Sequence, residues 1–159
     1  MYGIGVLDLD CAPTPGFLLW RVALRWRAAV DRAVGPLGLT HAQYSVLASL
    51  AGVARRGRRP SQRELADQTG LEAIYVSKLA RALEASGLVS READPHDSRA
   101  VRLGLTDEGR RVADRAIATV AALQEELTAP LGGTGGADTR RLVATLETLL
   151  AAPLAPAET

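Results

Sequence analysis

The sequence predicts a mainly α fold with one small β-hairpin wing: a winged helix-turn-helix framed by N- and C-terminal dimerisation helices. Three observations predict it. Apolar residues recur at three- and four-residue steps through most of the 159 residues, the period of an amphipathic helix. Two short helical stretches are joined through the single turn glycine Gly70. Two alternating stretches, 88–92 and 100–105, then flank the turn-forming run Asp94-Pro95-His96-Asp97-Ser98-Arg99.

The first helix runs from Pro15 to Leu37, with Leu19, Val22, Trp26, Ala29, Val30, Ala33 and Leu37 along one stripe. Phe17, Trp20, Leu24 and Ala28 make a second apolar face. A helix with two such faces is sandwiched between layers or lies at a subunit boundary. Gly35, Pro36 and Gly38 end it, and Thr40 caps a second helix from Ala42 to Ala54 that turns Tyr44, Val46, Leu47 and Leu50 inward. Ser61-Gln62-Arg63-Glu64 is a capping box opening a short helix to Gln68, whose apolar side is Leu65 and Ala66.

Beyond Gly70, a helix from Glu72 to Ser86 buries Val76, Leu79, Ala80 and Leu83 and closes on Gly87. The hairpin follows. Thr106 caps a long helix with Asp107 and Glu108 in its first turn, where the helix dipole favours negative charge. Its stripe is Val112, Ala116, Val120, Leu123 and Leu127, as far as Pro130. The Gly132 to Gly136 run is expected as a flexible break. Asp138 starts a last helix with a seam of Leu142, Leu146, Leu149 and Leu150.

Composition narrows the function classes. With 47% hydrophobic, 23% charged and 4% aromatic residues, the chain is neither collagen-like, mucin-like nor fully disordered. Lys plus Arg is 19 against 18 for Asp plus Glu, so any hold on a polyanion must come from local patterning. Arginine carries nearly all the positive charge, with Lys78 the single lysine. One cysteine cannot form an internal disulfide, and one Cys with two His cannot supply a four-ligand zinc site. We therefore expect no metal, no cofactor and a reducing compartment.

The first residues show neither a basic n-region nor a long apolar stretch, although 7–11 echo a lipoprotein cleavage box. No window approaches the roughly 18 apolar residues that span a bilayer, so a cytoplasmic protein with no membrane partner is expected. Enzyme chemistry is not expected either. His41 and His96 have no nucleophile at a recognisable spacing, and the Gly132 to Gly136 run neither follows a strand nor carries the basic residue of a phosphate loop.

Several pieces together resemble the MarR family of bacterial transcriptional regulators. They are Leu37-Gly38-Leu39-Thr40 with Gln43-Tyr44, Gly87-Leu88-Val89, the wing segment from Asp94 to Arg99, and Leu105-Thr106-Asp107-Glu108-Gly109. The resemblance runs from about Phe17 to Leu150. It implies a homodimer that binds a palindromic operator, in many members released by a small molecule or an oxidant.

The residues themselves lead the same way. The helix after Gly70 should lie in a major groove, presenting Ala73, Ile74, Tyr75, Ser77, Lys78 and Arg81 opposite its buried side. Ser77, Lys78 and Arg81 can donate to bases or phosphates, Ile74 can meet a thymine methyl, and Tyr75 can reach either. Arg99 at the hairpin tip suits the minor groove, with Asp97 holding its guanidinium, a role the resemblance also implies. Arg91 and Arg102 on the strands are expected to contact phosphate. Ser61, Gln62 and Arg63 at a helix N-terminus can touch the DNA backbone, and the Arg55 to Arg59 cluster is a secondary candidate. Similar proteins carry small hydroxyl or proline residues where this chain has Glu72, Ala73, Ile74 and Tyr75, and a carboxylate near phosphates repels them.

The expected organisation is an N-terminal arm at 1–14, a dimerisation region made of 15–40 and 106–152, a DNA-binding winged helix at 41–105 and a frayed tail at 153–159. Surplus apolar surface for the dimer lies in Leu18, Val22, Leu123, Leu127, Leu142, Leu146, Leu149 and Leu150. An effector, small and aromatic or anionic, would meet Phe17, Trp20, Leu24 and Tyr44. Two alternatives stand beside this reading. One is redox sensing through Cys11, although Asp8 and Asp10 beside it raise a thiol pKa, and the peroxide-sensing cysteine of similar proteins would fall near Gly16. The other is a winged helix that binds protein without DNA.

Overall fold

The structure, a computed structural model, describes residues 12–94 and 100–153. Its elements are α1 (Pro15–Val34), a 3-10 turn (Gly35–Leu37), α2 (His41–Ala54), α3 (Gln62–Thr69), α4 (Ala73–Ala85), β1 (Val89–Ala93), β2 (Val101–Leu105), α5 (Asp107–Thr128), a second 3-10 turn (Ala129–Leu131) and α6 (Ala137–Ala151). The order is the one the sequence predicts, mainly α with one hairpin.

Local chemistry explains the boundaries. Thr40 caps α2 and Ser61 caps α3 through complete capping boxes with Gln43 and Glu64. Both therefore satisfy amide donors that a helix start leaves open. Gly87, at φ 72, ends α4 with the Leu88 N–H donating to the Leu83 carbonyl at 2.9 Å, a turn in which the positive φ requires glycine.

The core gathers around α2. Val46, Leu47 and Leu50 meet Val30 and Val34 of α1, Leu65 of α3, Val76 and Leu83 of α4, Leu103 of β2 and Val112 of α5, all buried. The antiparallel register runs from Val89 opposite Leu105 to Ala93 opposite Val101. A bridge between Ser61 and Arg102, with the Leu103 N–H donating to the Pro60 carbonyl at 2.9 Å, stitches the segment before α3 to the hairpin. That contact sets the wing beside the helix-turn-helix.

Several expectations are corrected. The final turn of the first helix is 3-10, closed by Gly38 at φ 74. The first strand lies one residue later than expected. Asp138 stands in the first turn of α6, which starts at Ala137 after Gly136. The Gly132 to Gly136 run, expected as a flexible break, is a hydrogen-bonded turn: the Glu125 carboxylate accepts from the Thr134 N–H at 3.0 Å and its hydroxyl at 2.6 Å. The buried Thr139 hydroxyl donates to the Gly133 carbonyl at 2.6 Å.

Two regions stay outside the core. The first half of α1 leaves Leu18, Leu19, Trp20, Val22 and Leu24 exposed, and α6 buries only Thr139. Tyr44, expected inward, is half-buried at the edge of the core. Among the described residues no helix is long and apolar enough to cross a membrane, and no three His, Cys, Asp or Glu side chains gather as a metal site requires.

Candidate nucleic-acid interface

The helix-turn-helix is built from α3, the Gly70 turn at φ 68 and α4. Val76, Leu79, Ala80 and Leu83 lock one side of α4 into the core. At helical spacing the opposite side must then face away. Ala73, Ile74, Tyr75, Lys78 and Arg81 are exposed there, and Ser77 is half-exposed. Ile74 is 78% exposed and Tyr75 beside it 41%, so this side of α4 carries apolar as well as cationic surface. Gly70, Leu71, Glu72, Ile74, Tyr75 and Lys78 line a shallow depression of about 490 Å³ at the head of this helix.

At the start of α3, Arg63 is exposed while Ser61 and Gln62 are half-buried. The Ser61 hydroxyl is spent on the cap, accepting from the Glu64 N–H at 3.2 Å, and Gln62 Nε2 is buried without a partner among the described residues. Of the three, Arg63 is the one presented outward. Glu64 Oε2 accepts from the Ser61 N–H at 2.7 Å, and that bond, with the Ser61 hydroxyl, Arg58 and Arg102, holds its carboxyl below the usual range despite some burial.

The strand arginines face inward chemistry. Arg102 Nε donates to Asp94 Oδ2 at 2.5 Å, its Nη1 donates to the Arg59 carbonyl at 2.9 Å, and Glu64 lies 3.8 Å away. Arg91 Nη1 donates to Glu84 Oε2 at 3.1 Å, tying β1 to α4, and its Nε is buried. Both expected phosphate contacts are thus engaged as braces of the wing. The arginine cluster before α3 is likewise mostly committed: Arg55 pairs with Asp114 at 3.1 Å, Arg58 with Glu64 at 2.9 Å, and Arg59 with Glu92. Arg56 has no carboxylate partner among the described residues.

Asp97, Arg99 and His96 lie outside the described residues, as does Cys11. What the structure does place is the neck of the wing. The Asp94 N–H donates to the Ala100 carbonyl at 2.9 Å, closing the hairpin before the tip, and Arg102 links Asp94 to Glu64 of α3.

The residues expected to meet an effector are not gathered into one described cavity. Phe17 and Trp20 meet as tilted rings with centres 6.1 Å apart, Arg21 sits 5.8 Å over the Phe17 ring, and Trp20 and Leu24 stand exposed on α1. Tyr44 is on α2, where burial pushes its phenol pKa up. Nearby, the His41 N–H donates to Asp31 Oδ1 at 2.6 Å, and burial lowers the imidazole pKa against the pull of Asp31. The larger apolar groove, about 520 Å³, lies between α1, α5 and α6 and includes Leu19, Val22, Trp26, Leu127, Leu142 and Leu146. Of the residues expected to dimerise, Val22, Leu127, Leu142 and Leu146 line it, Leu18, Leu149 and Leu150 are exposed, and Leu123 packs partly on the chain's own core. Leu19 and Trp26 were legible only as stripe residues, because which stripe is left open depends on how α1 leans on α5.

Comparison with known proteins places this architecture. The model of the MarR family matches residues 37–100, from the approach to α2 through the neck of the wing. The HTH-type transcriptional regulator YdcH of Bacillus subtilis is 35% identical over 96 residues, 60% of this chain and 65% of that protein, so this match spans just under two thirds of the relative. The HTH-type transcriptional repressor Rv2887 of Mycobacterium tuberculosis is 34% identical over 122 residues, 77% of this chain and 84% of that protein. Among solved structures, a MarR-family transcriptional regulator of Rhodococcus sp. RHA1 superposes with a TM-score of 0.74 at 31% identity, covering 95% of this chain and 99% of the other. CouR of Rhodococcus jostii RHA1, solved bound to p-coumaroyl-CoA, gives 0.72 at 34% identity over 89% and 94%, and it has also been solved on a 23-mer DNA duplex. With helix order, wing and flanking helices shared along nearly the whole length of such regulators, the chain belongs to the MarR family of winged-helix transcriptional regulators.

Proposed function

We propose that the protein is a homodimeric, sequence-specific DNA-binding repressor that sets α4 in the major groove of a palindromic operator and Arg99 of the wing in the adjacent minor groove. The observation that carries this is the one-sided burial of α4, whose outer row of Ile74, Tyr75, Lys78 and Arg81 is left clear while its inner row is locked. Ser77, Ala73 and Arg63 complete the contact surface. Arg91 and Arg102 serve it from behind, as braces that aim the wing. Asp97 orients Arg99.

In this reading, residues 41–105 form the reading head, while 15–40 and 106–152 pair two chains. Unburied apolar surface on α1 and α6 supports the pairing, since an apolar face that its own core does not use is stabilised by a second copy. Two-fold symmetry then sets the two recognition helices about 34 Å apart, one turn of B-DNA. A protein that reads an operator works where the chromosome is, which supports the cytoplasmic assignment, and the reading gives it no catalytic step.

A small aromatic or anionic effector is the third partner. Its site in this reading is the α1 face that carries Phe17, Trp20 and Leu24, completed in the dimer and approached by Tyr44 from α2. The Arg21 guanidinium over the Phe17 ring supports an anionic group there.

The test is binding of purified protein to its own upstream intergenic DNA across a salt series, with Arg99→Ala alongside. Tight binding that falls steeply with salt, and an Arg99→Ala loss of about tenfold or more, is expected. Binding to that fragment no tighter than to random DNA, with no other sequence enriched from a genomic library, refutes the reading and favours a protein-binding winged helix.

A further inference from the structure

The carboxylate at the head of α4 is out of keeping with a surface that approaches phosphates. Glu72 is exposed, occupies the N-cap position at φ −62 and ψ 140, and makes no side-chain capping bond. Its main-chain carbonyl does the structural work, accepting from the N–H groups of Tyr75 at 2.9 Å and Val76 at 3.0 Å. Glu64, Glu84, Glu92 and Asp94 each hold an arginine, whereas Glu72 has no cationic partner among the described residues. It lines the depression that also holds Ile74 and Lys78, on the face that stands clear of the core.

We infer that Glu72 selects bases: its carboxylate accepts a hydrogen bond from the exocyclic N4 amino group of a cytosine in each operator half-site, and Ile74 packs on the 5-methyl of a neighbouring thymine. The inference rests on the DNA-binding reading of α4. An unpaired carboxylate near a DNA backbone is repelled unless a donor meets it. The donors of the major groove are cytosine N4 and adenine N6. Adenine presents its N7 acceptor beside N6, which repels the second carboxylate oxygen, and cytosine has no such acceptor, so cytosine is the base that fits. Lys78 in the same depression offers the complementary donor to guanine O6 or N7. The isoleucine makes the matching apolar contact, and its exposure in the free protein is relieved only when something covers it.

The experiment is selection of duplexes from a randomised pool by the wild type, Glu72→Ala and Glu72→Gln, followed by affinities on single-base variants of the selected site. Wild type should enrich a palindrome in which replacing one cytosine per half-site weakens binding by about tenfold. Glu72→Ala should lose the preference at that position and keep the others. Glu72→Gln should shift it to adenine, because an amide can accept from N6 while donating to N7. The exposed side chain makes no capping bond and has no cationic partner among the described residues, so unchanged circular dichroism is expected of both variants. If Glu72→Ala enriches the same palindrome with the same preference at every position, including the case where it binds all DNA more tightly by one common factor, Glu72 only repels phosphate and the inference is overturned. If wild type enriches no sequence, the DNA-binding reading falls and takes this inference with it.

Discussion

Two helical glycines should respond to the same substitution with opposite signs. By helix propensity alone, either Gly→Ala change stabilises by about 0.5–1 kcal/mol. At Gly52 in α2 an added Cβ would meet nothing within 4 Å, so the propensity gain should appear undiminished. At Gly109 in the first turn of α5 the Cβ would lie 1.8 Å from the Leu88 carbonyl oxygen, where real contacts essentially never fall under 3.0 Å, so the backbones must part by at least 1.2 Å. The obstacle is main chain and cannot swing aside. Parting also strains the bond from the Thr106 N–H to that same carbonyl, 3.1 Å long. Overpacking against rigid backbone costs about 3 kcal/mol and the bond about 1, against a propensity gain of about 1. The net loss is about 3 kcal/mol, which for a chain of this length is a fall of about 6–12 °C in Tm. Gly52→Ala should rise by about 1–4 °C. The assay is thermal unfolding by circular dichroism at one fixed protein concentration, since pairing of two chains, as proposed above, would make the Tm move with concentration. A Gly109→Ala protein as stable as the wild type would refute the close approach of α5 to Leu88, and with it the packing that seats the wing.

Other outcomes follow from the same geometry. Thr134 holds the Glu125 carboxyl below its ordinary value of 4.5, so folding gains from its ionised form above that pH and loses the gain as pH falls through the lower folded value. Unfolding free energy measured from about pH 6 down to about pH 3 should decline less steeply in Glu125→Gln than in the wild type; equal slopes would show that the Thr134 contact contributes nothing to folding. Leu149→Glu places a charge on the exposed seam of α6 and should weaken dimerisation by about tenfold or more in sedimentation equilibrium while leaving helical circular dichroism intact. A Leu149→Glu protein that remains a dimer at the same concentrations would remove α6 from the interface.

How much was legible in the sequence follows the range of each interaction. Capping boxes at Thr40 and Ser61, the turn glycines Gly70 and Gly87 and the buried stripe of α4 were all readable, because each joins residues within a turn or two of one another. The outer row of α4 followed at once, since a helix whose inner side is known has its outer side decided by geometry. The family resemblance was readable for the same reason, being carried by short runs with local backbone demands.

The arginines were not. Arg91 and Arg102 were expected to contact phosphate, and Arg58 and Arg59 were secondary candidates for it, yet each meets a carboxylate within the fold, and the bond from Arg59 to Glu92 joins positions 33 apart in sequence. The sequence by itself therefore determined the elements, their order and the reading face. Tertiary structure alone decided which arginines brace the wing, that the Glu72 side chain has no cationic partner among the described residues, that Gly109 lies against Leu88, and that the glycine run after α5 is clasped by Glu125. Helix periods and caps are settled within a few residues of chain, whereas ion pairs and close backbone approaches depend on distances that exist only once the chain has folded.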